Sequence, residues 1–210
     1  KSFGLMDELK VTQILKNDLG FSNSSIEKIK KFNNHLLEYN KSYNLISKNT
    51  EKNIWYRHIL DSAQIIKFID FSKSSKLVDF GSGAGFPGVI LALYDRISSF
   101  HVKLYEKSSV KRDFLKKMKI YLDINNITVE NNVYEKEIIA DVIVCRAFKK
   151  LEEILSISRE IVKKPHKLII LKGKNAQSEI NKVSLGSNYS YKLEKSITDY
   201  DSKIIIVDAR

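Results

Sequence analysis

The chain has 210 residues, 43% of them hydrophobic, with 36 Lys or Arg against 25 Asp or Glu and a formal net charge of +11; this suffices for one main core with a small helical appendage and suits a polyanionic partner, although a bias toward Lys, Ile and Asn contributes to the charge. A single cysteine, Cys145, excludes an internal disulfide and any multi-cysteine metal centre, and the four histidines show no metal-ligand spacing, so any cofactor is expected to be organic, with no metal. No run of about 18 apolar residues offers a membrane span and the Lys1 start lacks the order of a secretory signal, which predicts a cytoplasmic protein whose native N-terminus is missing or processed.

Residues 1–72 read as an N-terminal helical segment packed on a core formed by 73–210. Leu5, Leu9, Leu15 and Leu19 make one apolar stripe that Gly20 terminates in a left-handed cap. Ser24-Ser25-Ile26-Glu27 resembles a capping box for a second helix carrying Ile26, Ile29, Phe32, Leu36 and Leu37. A third helix is predicted from Asn49 or Thr50, burying Ile54, Trp55, Ile59, Ile66 and Ile69. After the polar linker Ser72–Ser75 the pattern becomes α/β alternation. Strands are predicted at Lys76–Phe80, His101–Tyr105, Ile127–Glu130, Asp141–Cys145 and Lys167–Leu171, with helices at Val89–Tyr94, Val110–Leu122 and Leu151–Val162 between them. The last two strands, Tyr189–Leu193 and Ile204–Val207, have no room for a crossover and should pair antiparallel.

Leu77-Val78-Asp79-Phe80-Gly81-Ser82-Gly83-Ala84-Gly85-Phe86-Pro87-Gly88 carries the strongest functional signal. A buried strand enters a glycine turn and then a helix, which lets backbone approach a ligand at the mouth of a parallel sheet. Gly81-x-Gly83-x-Gly85 has the spacing of methyltransferase loops, whereas Gly83-x-Gly85-x-x-Gly88 formally fits the dinucleotide fingerprint. The strand decides the register: its first following glycine is Gly81, and three residues beyond Gly83 stands Phe86. Asp79 near the end of this strand can anchor the loop or its ligand, and Glu106 after the second strand can accept both ribose hydroxyls of an adenosine.

With these residues in view, the chain resembles the ribosomal RNA small-subunit methyltransferase G family, also called glucose-inhibited division protein B. The Phe86-Pro87-Gly88 continuation is the distinctive part, joined by Tyr43-Asn44-Leu45-Ile46, Arg57-His58-Ile59-Leu60-Asp61-Ser62, Arg146-Ala147-Phe148 and Leu171-Lys172-Gly173-Lys174. The resemblance implies a class I S-adenosylmethionine-dependent methyltransferase (Rossmann-like) fold, a seven-stranded mostly parallel α/β sheet with an antiparallel C-terminal hairpin. It also implies methylation of N7 of guanine 527 in 16S rRNA, or in the small ribosomal subunit, by a monomer. Carried over by position, the family's cofactor contacts fall on Gly81, Phe86, Glu106, Lys107, Ser108, Val133, Tyr134 and Arg146; the loop reading adds Asp79, Ser82, Gly83 and Gly85.

The residues themselves favour a reaction without a general base. Cys145 at the end of a Val-Ile-Val strand reads as a small buried hydrophobe and lacks a preceding proline, against a thiolate route to pyrimidine carbon 5. No Asn/Asp-Pro-Pro-aromatic signature for amine methylation occurs. Guanine N7 carries an in-plane lone pair and no proton, so it needs alignment with the methyl at roughly 3 Å and suitable electrostatics. Arg146 is the single catalytic candidate. Asn44, His58, Lys149 and Lys172 are the substrate-side candidates, the last two within a basic rim that includes Lys107, Lys111, Arg112, Lys150 and Lys174. The competing readings are an NAD-dependent oxidoreductase and an inactive RNA-binding protein that keeps the cofactor fold.

Overall fold

The computed structural model describes residues 2–134 and 136–210, with the side chains of Ser2, Phe3 and Leu5 outside the description. The helical segment comprises α1 (Ser2–Asn17), α2 (Asn23–Tyr43) and a short α3 (Lys48–Glu51), then a π turn at Trp55–Leu60, α4 (Asp61–Ala63) and a 3-10 turn at Gln64–Phe68. The sheet is built from β1 (Lys76–Phe80), β2 (His101–Tyr105), β3 (Ile127–Glu130), β4 (Val142–Arg146), β5 (His166–Lys172), β6 (Tyr189–Lys195) and β7 (Lys203–Ala209). Between its strands lie α5 (Gly88–Ala92), α6 (Ser109–Tyr121), α7 (Leu151–Ile161) and α8 (Ala176–Lys182). Strand order is β3-β2-β1-β4-β5-β7-β6, parallel from β3 to β5, with β7 antiparallel to both β5 and β6.

Period-two alternation divides the core. Leu77, Val102, Leu104, Val142, Val144 and Ile169 face one side, where they meet the buried stripe of α1 and α2. Val78, Phe80, Ile143, Cys145, Leu168 and Ile170 face the other and are covered by α7 and α8. The order reverses between β1 and β4, and open α/β sheets bind ligands outside the strands' carboxyl ends at such a switch point.

In α1 the buried face runs through Val11 and Leu15, and Leu9 is 57% exposed, because the stripe that packs on the π turn is set by Val11–Leu15 spacing; Leu5 lies outside the described side chains. Gly20 does take φ +79 and Leu19 is buried. The cap of α2 is Ser22, whose Oγ accepts from Ser25 N, two residues before the expected box; Ser25 is drawn inward instead, its hydroxyl donating to Leu93 O. The third helix is broken into α3, π and 3-10 turns, yet its five apolar positions are all buried, Trp55 among them. α8 was not foreseen, since its seven residues offer only Ala176 and Ile180 to the core.

Candidate active site

Three chain segments converge at the switch point. After β1, Gly81 N and Ser82 N both donate to Tyr105 O at 2.9 Å, which ties the glycine loop to the end of β2. Gly81 turns at φ +73, and a Cβ there would stand 2.6 Å from the Phe148 ring, so the Arg146-Ala147-Phe148 turn after β4 is wedged against it. Gly83, at φ +57, has open space where a Cβ would be, and it faces the cavity. At Gly88 a Cβ would meet Leu104 Cδ2 at 2.2 Å and Asp79 Oδ2 at 2.6 Å, so only glycine lets α5 start this close to the sheet.

The cavity over the loop measures about 450 Å³ and is lined by Gly81, Ser82, Gly83, Phe86, Glu106, Lys107, Val133, Arg146 and His58 among the expected residues, together with Leu45, Ile46, Lys111, Ala147 and Phe148. Glu106 accepts from Gly83 N through Oε2 at 2.7 Å and from Ser108 N through Oε1 at 2.9 Å. Each oxygen keeps a further lone-pair direction for a ligand hydroxyl. Ser108 lies off the walls and caps α6, its Oγ accepting from Lys111 N. Arg112 is spent on the loop itself, Nη1 donating to Glu106 O, Lys107 O and Asn131 Oδ1. Tyr134 is exposed outside the cavity wall, with Lys107 Nζ 5.8 Å from its ring centre. Gly85 is packed behind the wall against Val89 and Phe32.

Asp79 is wholly buried beneath the loop, where Oδ2 accepts from Gly88 N at 2.8 Å and Oδ1 has no partner. Burial pushes its carboxyl up to about 7, opposed by the bonds from Gly88 and Ser82. From about pH 4 to 7 the folded chain therefore keeps a proton that the unfolded chain has released, and stability should fall across that window and level off above it. Asp79→Asn can retain the Gly88 bond without this penalty. We expect a flatter dependence of the urea midpoint on pH, the variant exceeding the parent at about pH 8 and converging with it near pH 4; an unchanged slope would contradict a proton-holding Asp79.

Arg146 leaves β4 at the sheet's carboxyl edge, just before Ala147 at φ +49, a conformation that costs energy for a non-glycine residue. Nη1 donates to Arg57 O at 2.7 Å and lies 4.0 Å from Asp61 Oδ2, Nη2 donates to His58 Nδ1, and the guanidinium stands 5.5 Å from the Phe86 ring centre. His58 stacks on the same ring at 4.8 Å. Burial, then the charges of Arg146 and Arg57, lower its pKa to about 3, so the ring is neutral, with Nδ1 accepting and Nε2–H buried without a partner. His58 lines the open cavity, and its orphaned donor is enclosed within that wall. Sequence reasoning missed Phe86 as the shared platform for both groups; its position after the third loop glycine was the available signal.

The other candidates lie around the rim. Asn44 is exposed and left-handed at the end of α2, next to the wall residue Leu45. Lys149 pairs with Glu153 at 3.2 Å, and Lys172 Nζ sits 3.0 Å from Glu179 while donating to Lys149 O. Tyr39 and Tyr43 stack on each other at 5.9 Å, and Trp55 belongs to the core. Cys145 is fully buried and its thiol is pushed strongly up by burial, which leaves no thiolate at neutral pH. Among the described residues no helix is long and apolar enough to cross a membrane and no acid, His and Cys cluster could hold a metal.

Residues 25–204 match the family model described as rRNA small subunit methyltransferase G. Among curated relatives, the ribosomal RNA small subunit methyltransferase G of Rickettsia felis is 40% identical over 183 residues, covering 87% of this chain and 92% of that protein. Its counterpart in Rickettsia akari is 40% identical over 187 residues, with coverage of 89% and 95%. A SAM dependent methyltransferase from Aquifex aeolicus superposes with a TM-score of 0.52 at 13% identity, over 71% of this chain and 89% of that one. Precorrin-6y C5,15-methyltransferase from Geobacter metallireducens GS-15 gives 0.52 at 11% identity, over 80% and 92%. These two likenesses show the fold alone.

Proposed function

The chain belongs to the rRNA small subunit methyltransferase G family, and from that premise we propose that it transfers the methyl group of S-adenosylmethionine to N7 of a guanine in 16S rRNA, the target that the family resemblance names. The observation that carries the reading is the cavity over Gly81–Gly83, floored by open backbone and walled by a carboxylate on one side and an arginine on the other. The cavity fits the cofactor: Gly83 leaves room for close approach, Glu106 has lone pairs free for ribose hydroxyls, and His58 Nε2–H awaits an acceptor. Bound there, S-adenosylmethionine supplies an electrophilic methyl group.

The chain's own residues orient the reaction and move no proton. Gly81, Ser82, Gly83, Phe86, Glu106, Lys107 and Val133 form the cofactor wall, with Asp79, Gly85 and Ser108 holding that wall from behind and Tyr134 beside Lys107. Arg146 and His58 line the opposite side, where a donor can meet O6 of a guanine edge while the N7 lone pair stays free for the methyl group. The neutral His58, the protonated Cys145 and the enclosed Asp79 supply no base, and the Glu106 carboxylate is engaged by Gly83 N and Ser108 N on the cofactor side, as suits a nucleophile without a proton to lose. We take residues 1–72 as a helical segment that presents Asn44 and His58 to substrate, residues 73–210 as the methyltransferase domain, and the cytoplasmic monomer acting on rRNA or the small subunit as the working form.

Lys149 and Lys172 are assigned to the RNA rim. Because the Lys172–Glu179 pair is largely enclosed whereas Lys149 pairs with a well-exposed Glu153, replacing both lysines by glutamine should lower the slope of log affinity against log salt by about one rather than two. An unchanged slope, measured by filter binding, would remove them from the rim. The function as a whole is tested by incubating the protein with labelled S-adenosylmethionine and small subunits that lack this modification, followed by nucleoside mass spectrometry. One new 7-methylguanosine is expected; cofactor binding without any methylated nucleoside would overturn the proposed reaction.

A further inference from the structure

Asp61 stands one turn beyond His58 and faces away from the main cavity, in the wall of a smaller one of about 230 Å³ that shares Arg146 and Ala147 with it. Its two oxygens have different partners. Oδ1 accepts from Gln64 Nε2 and from Thr198 Oγ1, each at 2.9 Å, and Oδ2 is left facing Arg146 Nη1 at 4.0 Å. Gln64 is itself immobilised: Nε2 also donates to Ser196 Oγ at 3.1 Å, and Oε1 accepts from Ile197 N at 2.9 Å. Ser196 and Thr198 belong to the turn between β6 and β7, so the tip of the C-terminal hairpin and the N-terminal segment together fix this carboxylate.

We propose that Asp61 is a positioning residue for methyl transfer: anchored by the hairpin tip through Thr198 and Gln64, it holds the Arg146 guanidinium in the plane from which that group engages Arg57 O and His58 Nδ1. The hydrogen-bond acceptors of the guanidinium, Arg57 O and His58 Nδ1, are neutral, and Asp61 Oδ2 at 4.0 Å acts on it through charge, an attraction that a partly enclosed site strengthens. Because Arg146 Nη2 occupies His58 Nδ1, the same contact keeps the imidazole proton on Nε2 of a residue that lines the cavity. The turn between β6 and β7, more than 130 residues away in sequence, thus sets the tautomer of a histidine that lines the active cavity. The inference rests on the proposed function of that cavity.

Asp61→Asn tests it, because the amide oxygen still accepts from Thr198 and Gln64 while an N–H replaces the oxygen facing Arg146. We expect kcat for rRNA methylation to fall at least about tenfold with the melting temperature nearly unchanged, and Asp61→Glu to recover part of the loss. In the ligand-free protein, ¹⁵N spectra should show His58 as one Nε2–H tautomer in the parent and as a mixture in Asp61→Asn. In an Arg146→Ala background Asp61→Asn should cost nothing further, since both act through one group. If Asp61→Asn does not fold, Thr198→Val should lower kcat in the same direction by a smaller factor. Unchanged kcat with one tautomer, or losses that add in the double variant, would overturn the proposal. A parent protein that methylates no rRNA would refute the functional reading instead, while the ¹⁵N comparison, which needs neither cofactor nor RNA, would still decide the role of Asp61.

Discussion

Glu106→Ala is expected to weaken binding of S-adenosylhomocysteine by about a hundredfold. Two hydrogen bonds from ribose hydroxyls to a carboxylate contribute on the order of 3 kcal/mol together, and about 1.4 kcal/mol corresponds to a factor of ten. The loss has a second source. Glu106 also accepts from Gly83 N and Ser108 N, so its removal frees the glycine turn and the start of α6, both of which frame the cavity. Glu106→Gln keeps one acceptor and should fall between parent and alanine variant. Calorimetric titration distinguishes these outcomes, and a loss below about fivefold for Glu106→Ala would assign the adenosine elsewhere.

The sheet was legible because its signals are local. β1 and β4 reach the surface only at one end, and short, largely apolar runs bounded by polar turns predicted β1, β2 and β3 with their observed limits and β4 and β5 within one residue. The glycine loop was legible because Gly81 and Gly83 sit at positive φ directly after a buried strand. Less was legible where long-range contacts override local preference. The π turn at Trp55–Leu60 breaks an otherwise helical pattern, and its backbone supplies the Arg57 carbonyl that Arg146 uses, a pairing 89 residues apart in sequence. Tyr134 was placed by resemblance in a segment without regular structure, and it falls outside the cavity wall while its neighbour Val133 falls within it. Asp79, expected to anchor loop or ligand, anchors the loop: Oδ2 accepts from Gly88 N and Oδ1 is enclosed. The lysine-rich composition was the poorest guide, since Lys172 and Arg112 are spent on internal contacts that charge counting could not reveal.

Arg146→Ala should have the largest effect on methyl transfer itself, a fall in kcat of about two orders of magnitude, equivalent to roughly 2.7 kcal/mol of transition-state stabilisation. The guanidinium satisfies Arg57 O, His58 Nδ1 and the Phe86 face at once, and Asp61 stands behind it. No lysine can reproduce that set, because an ammonium is a point donor without a planar face. Arg146→Lys is therefore expected to recover little, and this separates a need for the fork from a need for positive charge alone. Removing the arginine also deletes one of the two positive charges that hold His58 down, so the His58 pKa should rise above about 3 yet stay below the ordinary histidine value, because burial is the larger cause and remains. Single-turnover methylation at saturating cofactor measures the first effect and a histidine NMR titration the second. A lysine variant with near-parent kcat would reduce Arg146 to a source of charge, and a His58 pKa left at about 3 would mean that the two side chains are not coupled.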